Sequence, residues 1–333
     1  MGNGRYLMSV KLTDVAKLAN VSPTTVSRVI NNYGYISEKT RKKVFSAMNE
    51  LNYQPNSLAR SLQGKKTRLI GAIVPSLTNP FFAELVSRIE ELLNRKDYKL
   101  ILCNAVQDSS HKERDYLNML KANQVDGIIS GTHNLDITEY QETGLPIVSF
   151  DRNLGPDVPV VSSDNYQGGW VATNSLINSG CKKVAFFGNI KGSNNPTDLR
   201  LKGYHDAIIE HGLQEILVPM NFYESANLKK MAFQKLLSKH EIDGAFFTDD
   251  FSANLFWQYS RFNHFKDCER IKVIGYDGTS IMRQLNPDLS TIAQPIEEIA
   301  NLLVDLLIKR INHEELSDSN YVLPITLVKG NSI

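Results

Sequence analysis

A chain of 333 residues is long enough for two or three domains with a substantial core, since domains usually run to roughly 100–200 residues, so a single small module is excluded. Its 42% hydrophobic and 22% charged residues are ordinary for a water-soluble globular protein, and no apolar run approaches the roughly 18–20 residues of a membrane span. The net charge of +1 conceals an asymmetry: residues 1–68 hold twelve Lys and Arg against three acids, a net +9, which leaves −8 for the rest. A basic head on an acidic body points to a polyanion as partner of the head alone, because neutralising phosphates takes local charge.

The opening MGNGRYLMSV lacks the basic stretch and apolar core of a secretory signal. Cys103, Cys181 and Cys268 are widely spaced, odd in number and without a C-x-x-C pair, so neither a disulfide framework nor a thiolate metal site is expected, and a reducing cytoplasm fits best. The first periodic segment, LTDVAKLAN, sets Leu12, Val15, Ala16 and Leu18 or Ala19 at helical spacing, with Thr13 or Asp14 available as a cap. In the next, VSPTTVSRVINN, Ser22 is a good N-cap and Pro23 suits the first helical turn, where its missing N–H would be unpaired anyway. Val26, Val29 and Ile30 form its apolar stripe, and Asn31, Asn32 and Gly34 end it. Ser37 then caps a third helix, SEKTRKKVFSAMNELN, with Val44, Met48 and Leu51 on one face.

Three helices within about fifty residues, the first two closely spaced, predict a helix-turn-helix with its supporting helix. Pro23, Thr24, Ser27 and Arg28 stay outside the shared core, at the part of a recognition helix that enters the major groove. Arg28 could hold a guanine bidentately, while Ser22, Thr25 and the helix N-terminus could hold phosphate. After Tyr53-Gln54-Pro55 comes NSLARSLQGKK, an amphipathic piece too short to be stable alone, and a segment that folds against a partner is the natural reading.

From Thr67 the pattern changes. RLIGAIVP, YKLILCNAV, VDGIIS, LPIVSFD, VPVVSSD, KKVAFFGNI, DGAFFTDD and IKVIGYDG are short apolar runs, separated by helical stretches such as FFAELVSRIEELLNRK, ERDYLNMLKANQ, GGWVATNSLINSG and LRLKGYHDAIIEHG. Strands alternating with helices predict an α/β body of doubly wound parallel sheets, and burial on both faces accounts for the unbroken runs. Eight or more units exceed one ordinary sheet, so two subdomains with a cleft are expected, with ligands outside the carboxyl ends of the strands. Asp151, Asp164, Asp249, Asp250 and Asp277 fall at such ends.

These stretches, together with LTDVAKLANVSPTTVSRVINN, ISEKTRKKVFSAMNELNYQPNSLARSLQGKKTRLIGAIVPSLTNPFFAEL, SFDRN, SSDNYQGG, VIGYDGT and STIAQP, resemble the lactose/galactose repressor (LacI/GalR) family of bacterial transcription factors over the whole chain from Val10. Residues before Met8 do not fit the family's start. Within the family, SFDRN, SSDNYQGG and GSNNPTDLR resemble the sucrose or ribose operon repressors of Gram-positive bacteria.

The resemblance implies a helix-turn-helix DNA-binding domain over 9–54, a hinge helix over 55–66, and an effector-binding and dimerisation domain over 67–333 with a periplasmic-binding-protein-like fold. Its N-subdomain would span about 67–161 and 292–322 and its C-subdomain about 162–291 and 323–333, with crossings near Val161–Ser163, Leu289–Ile292 and Val322–Pro324. It further implies a homodimer that reads a palindrome in double-stranded operator DNA. Pro23, Thr24 and Arg28 match base-reading positions, with Thr13, Ser22, Thr25, Ser27 and Asn31 completing the expected contacts. Asn56, Ala59 and Leu62 match the hinge that enters the minor groove, Leu62 as the wedge that kinks the duplex. Pro23 departs from members with a polar side chain there and can offer only apolar contact, for example to a thymine methyl.

Positions matching family effector contacts are Phe81, Asp151, Arg152, Asn194, Arg200, Phe222, Asp249 and Asp277. Carboxylates, guanidinium groups and an aromatic platform suit a sugar or sugar phosphate: Asp accepts from hydroxyls, Arg donates, and Phe covers a C–H face. The expected activity is repression of a sugar-utilisation operon, relieved by the sugar, with no cofactor and no metal. A global regulator controlled by a phosphorylated carrier protein is the alternative on the same fold. Catalysis is disfavoured: there is no H-E-x-x-H or G-x-S-x-G, and Leu58 and Ala59 stand where a P-loop ending at Gly64-Lys65 needs its first glycine. The C-terminal LVKGNSI lacks the leucine heptads of a coiled-coil tetramer.

Overall fold

A computed structural model describes residues 10–30, 33–53, 66–105, 110–132, 134, 137–192, 196–238, 241–262 and 270–333. The expectations for Asn31, for the hinge with Asn56, Ala59 and Leu62, and for Asn194 lie outside these residues. The chain divides into two compact units, Met1–Thr67 and Arg68–Ile333.

The first unit holds α1 (Leu12–Ala19), α2 (Pro23–Ile30) and α3 (Glu38–Glu50). Their facing stripes bury Val15, Ala16, Ala19, Val26, Val29, Val44 and Ala47 in one small core, against which Met48 and Leu51 pack. Of the two alternatives in the first helix, Ala19 is buried and Leu18 exposed. The caps of α2 and α3 are as expected: Ser22 Oγ accepts from the Thr25 N–H at 3.1 Å, and Ser37 Oγ from the Thr40 N–H at 3.3 Å. The start of α1 is closed from inside, since the Asp14 carboxylate reaches back to accept from the Lys11 N–H at 2.9 Å while Thr13 lies exposed in the first turn. Asn20, left-handed at φ 52°, ends that helix.

The second unit is built on two six-stranded sheets. β1 (Leu69–Val74), β2 (Lys99–Asn104), β3 (Gly127–Ser130), β4 (Ile147–Phe150), β5 (Val160–Ser163) and β11 (Asn320–Leu323) form the first, in the order β11-β5-β4-β3-β1-β2, parallel throughout. β6 (Val184–Gly188), β7 (Ile216–Pro219), β8 (Gly244–Phe247), β9 (Lys272–Asp277), β10 (Ser290–Ala293) and β12 (Thr326–Val328) form the second, in the order β12-β10-β9-β8-β6-β7, with β12 alone antiparallel. Interior strands such as β3, β6 and β8 are buried at every position, whereas the edge strands β2 and β7 expose Leu102 and Leu217.

Helices α4 (Pro80–Arg95), α5 (Ser110–Ala122), α6 (Glu139–Glu142) and α12 (Ile296–Ile311) belong to the first half. The second half carries α7 (Asn165–Asn178), α8 (Leu199–Glu210), α9 (Ala226–Leu237), α10 (Asp250–Phe262) and α11 (Ser280–Leu285). The chain passes between the halves at residues 163–165, 293–296 and 323–326, slightly beyond the expected stretches because β5, β10 and β11 finish their pairing first. Hydrogen bonds lace these passages together: the Asp164 N–H donates to the Leu323 carbonyl at 2.7 Å, and Ser163 Oγ donates to Gln294 Oε1 at 2.8 Å.

Candidate functional site

The described residues anticipated from sequence fall in two places. On α2, Val26 and Val29 face the core, which turns Pro23, Thr24 and Arg28 outward as exposed residues, with Thr25 and Ser27 half-buried at the sides. Ser22 is exposed at the helix start, and its hydroxyl also pairs with Thr25 Oγ1 at 2.8 Å. A proline-initiated helix with an arginine one turn and a half in thus presents one exposed donor fork among short side chains; a guanidinium of this kind can pair bidentately with guanine.

The second surface lies at the carboxyl ends of the strands, where the halves meet. Asp151, immediately after β4, and Asp277, the last residue of β9, both hold left-handed backbones, at φ 52° and 111°. Such conformations cost roughly 1–3 kcal/mol each and persist where the surroundings over-determine them. Around Asp151 the second half supplies the partners. Asn165, at the start of α7, donates from Nδ2 to Asp151 Oδ1 at 3.0 Å and to the Ser163 carbonyl at 3.1 Å. Its Oδ1 accepts from Arg200 Nε at 2.7 Å. Arg200, on α8, also donates to the Thr248 carbonyl at 3.0 Å, forms an ion pair with Asp151 at 3.9 Å, and lies over the Tyr276 ring at 3.7 Å. Arg152 donates from Nη1 to the Asp151 carbonyl at 2.6 Å and to Thr197 Oγ1 at 3.0 Å, bridging the two halves.

Burial dominates the electrostatics. It pushes the Asp151 carboxyl up, opposed by Arg200, Arg152 and the Asn165 hydrogen bond. Asp277 is pushed well above the usual carboxylate range by burial, opposed mainly by Arg200, while Asp250 and Asp249 push it further. Its Oδ1 accepts from Gln294 Nε2 at 2.8 Å, the same glutamine that receives the Ser163 hydroxyl. Hydrogen-bond acceptors and a buried guanidinium, held by Asn165 and Gln294 at two of the passages, suit a polyhydroxylated ligand.

The remaining expected residues stand at the edges of this network. Asp249 holds the start of α10, accepting the Ser252 N–H at 2.7 Å. Phe222 is half-buried on the loop after β7, edge-on to Tyr223 at 5.3 Å and 5.9 Å from Phe251. Phe81, in the first turn of α4, stacks at 5.2 Å on Phe150, the residue before Asp151. Asp164 caps α7 by accepting the Gln167 N–H at 2.9 Å. Sequence reasoning missed Asn165, Tyr276, Gln294 and Lys229; Asn165 and Gln294 stood inside SSDNYQGG and STIAQP, as polar residues bordering buried strands. Among the described residues no group of three or more His, Cys, Asp or Glu is arranged to hold a metal ion. Burial pushes the thiols of Cys103 and Cys181 up to about 11 and about 12.

Residues 11–56 match the bacterial regulatory proteins of the lacI family, and residues 67–330 match the periplasmic binding proteins and sugar binding domain of the LacI family. The chain is 51% identical to the sucrose operon repressor of Pediococcus pentosaceus over 97% of this chain and 99% of that protein. It is 45% identical to the sucrose operon repressor of Streptococcus mutans over 98% of this chain and 100% of that one. The solved structure of the lac repressor dimer bound to operator and the anti-inducer ONPF matches with a TM-score of 0.82 and 25% identity, over 98% of this chain and 99% of that chain. Head and body match two parts of one family, and the chain is a member of the LacI family of bacterial regulatory proteins.

Proposed function

We propose that the protein is a sequence-specific, homodimeric repressor of a sugar-utilisation operon, released from a palindromic operator when a small sugar or sugar phosphate enters the cleft of its body. The observation that carries this reading is end-to-end similarity to sucrose operon repressors in a chain that combines an exposed Pro23-Thr24-Arg28 face with a buried Asp151–Asn165–Arg200 network. The same similarity favours a sugar over a phosphorylated carrier protein as the controlling partner. In this reading residues 9–54 read the operator and 55–66 form the hinge. The body over 67–333 binds the effector with Phe81, Asp151, Arg152, Asn194, Arg200, Phe222, Asp249 and Asp277, and acts by binding rather than catalysis, in the cytoplasm.

A direct test selects operator sequences from random double-stranded DNA and measures their affinity by fluorescence anisotropy with sucrose, D-fructose, D-ribose or their phosphates present. The expected result is a palindromic consensus whose affinity falls when one of these ligands is added. Arg28→Ala should relax preference at one base pair of each half-site by about 1–3 kcal/mol. Leu62→Ala should weaken operator binding and leave sugar binding intact. Absence of any sequence preference, or operator affinity indifferent to every sugar, would overturn the reading.

A further inference from the structure

The first turn of α9 contains a cation that elementary rules place badly. Lys229 is 0% exposed. It lies where the positive end of the helix dipole opposes a positive charge. Both of its hydrogen bonds go to neutral oxygens, the Phe222 carbonyl and Ser252 Oγ, each at 2.8 Å. Burial lowers its pKa, and the carboxylates of Asp249 and Glu224 favour its charged form through space. A methionine would fill much of the same volume with no charge to desolvate.

What the ammonium does with those bonds accounts for its presence. Phe222 lies on the loop after β7, and Ser252 in the first turn of α10 after β8; these are separate strand-to-helix connections of the second half. The Ser252 N–H is held by Asp249 Oδ1. The ammonium stands 5.3 Å from the Phe222 ring and 5.9 Å from the Phe251 ring, so it also underlies the aromatic pair. One buried group therefore ties the carbonyl and ring of Phe222 to the turn that carries Asp249.

We infer that Lys229 is a positioning residue of the effector site: its buried ammonium yokes the Phe222 loop to the Asp249–Ser252 turn and sets the spacing between aromatic platform and carboxylate. The yoke stands on contacts within the protein. Its consequence for a ligand rests on the effector site proposed above, so the two are tested separately.

Hydrogen–deuterium exchange on the free, full-length protein tests the yoke. In Lys229→Met the amides of residues 220–224 should exchange about tenfold faster, with an apparent melting temperature unchanged or raised because the desolvation penalty is removed. Unchanged exchange over 220–224, or faster exchange spread through all of α9 together with a lower melting temperature, would mean a plain packing role and overturn the inference. Ser252→Ala keeps the ammonium and removes one of its two acceptors; it should loosen the same five residues even if Lys229→Met does not fold, and failure to do so also overturns it. Calorimetric titration with sucrose and D-fructose is the second arm. Lys229→Met should weaken the sugar that binds by about tenfold, through lost preorganisation, and undiminished affinity would overturn the positioning role. If neither sugar binds the unmodified protein, the proposed effector class fails, while the exchange result still decides the yoke.

Discussion

Asp249 and Asp250 are neighbours in the chain, both buried, with different partners. Asp249 turns to the loop and holds the Ser252 N–H, whereas Asp250 is 2% exposed and accepts the Gly278 N–H through Oδ2 at 2.8 Å. Its other oxygen occupies space that only a glycine leaves open, since a Cβ at Gly275 would lie 2.2 Å from Oδ1. Burial pushes the Asp250 carboxyl up to about 7, opposed by its hydrogen bonds and Arg283. An unfolded aspartate titrates near 3.9, so the folded state binds the extra proton between these values. The stability this group contributes is thus fully present below about pH 4 and is lost as pH rises through about 7. Asp277 and Asp151 are raised as well and act in the same direction. Urea unfolding of the free protein at a series of pH values should show stability falling across this window. Asp250→Asn should flatten the fall without abolishing it, and an unchanged slope would contradict the account.

At the scale of elements, the Asp151–Asn165–Arg200 network depends on how closely α7 and α8 approach. A Cβ at Gly169 would lie 2.1 Å from the Arg200 carbonyl oxygen, and one at Gly203 would lie 2.2 Å from the Tyr166 carbonyl oxygen. The helices therefore touch backbone to backbone, and this brings Arg200 on α8 within reach of Asn165 on α7. Gly169→Ala should force them apart, at a cost of about 1–3 kcal/mol, and weaken sugar binding more than operator binding. Thermal unfolding and a sugar titration check both parts.

Gly169 was visible in SSDNYQGG, but its reason lay in a helix thirty residues away. What was legible followed local rules: Ser22, Pro23 and Ser37 mark helix starts by their own chemistry, and unbroken apolar runs mark strands covered on both faces. The short strands β7, β10, β11 and β12 were not among those runs: each is only three or four residues long, and β7, β11 and β12 lie at sheet edges, where burial on both faces is lost. Lys229 escaped because a lysine on a helix reads as solvated, and only the fold shows its carbonyl and hydroxyl partners. The strand-end aspartates were legible, while the Asn165 and Gln294 amides that hold Asp151 and Asp277 depend on contacts across the passages between halves.

Across the whole molecule, the proposed control is a statement about coupled equilibria. If sugar lowers operator affinity by some factor, operator must lower sugar affinity by the same factor. Titrating the sugar with and without saturating operator measures this, and identical affinities would rule out release by this route. Besides the laced passages at residues 163–165, 293–296 and 323–326, the halves of the body meet at Glu84 of α4, which accepts from both the N–H and the hydroxyl of Ser280, each at 2.8 Å. The connectivity also bears on the order of synthesis. β11 and β12 follow one another in sequence yet each completes a different sheet. During translation the helical head has all its core residues by residue 53, whereas both halves of the body wait for the same final stretch. A ribosome that stops before residue 320 leaves the basic head intact and deprives both sheets of an edge strand in one event, so a chain interrupted there contains no finished half of the body.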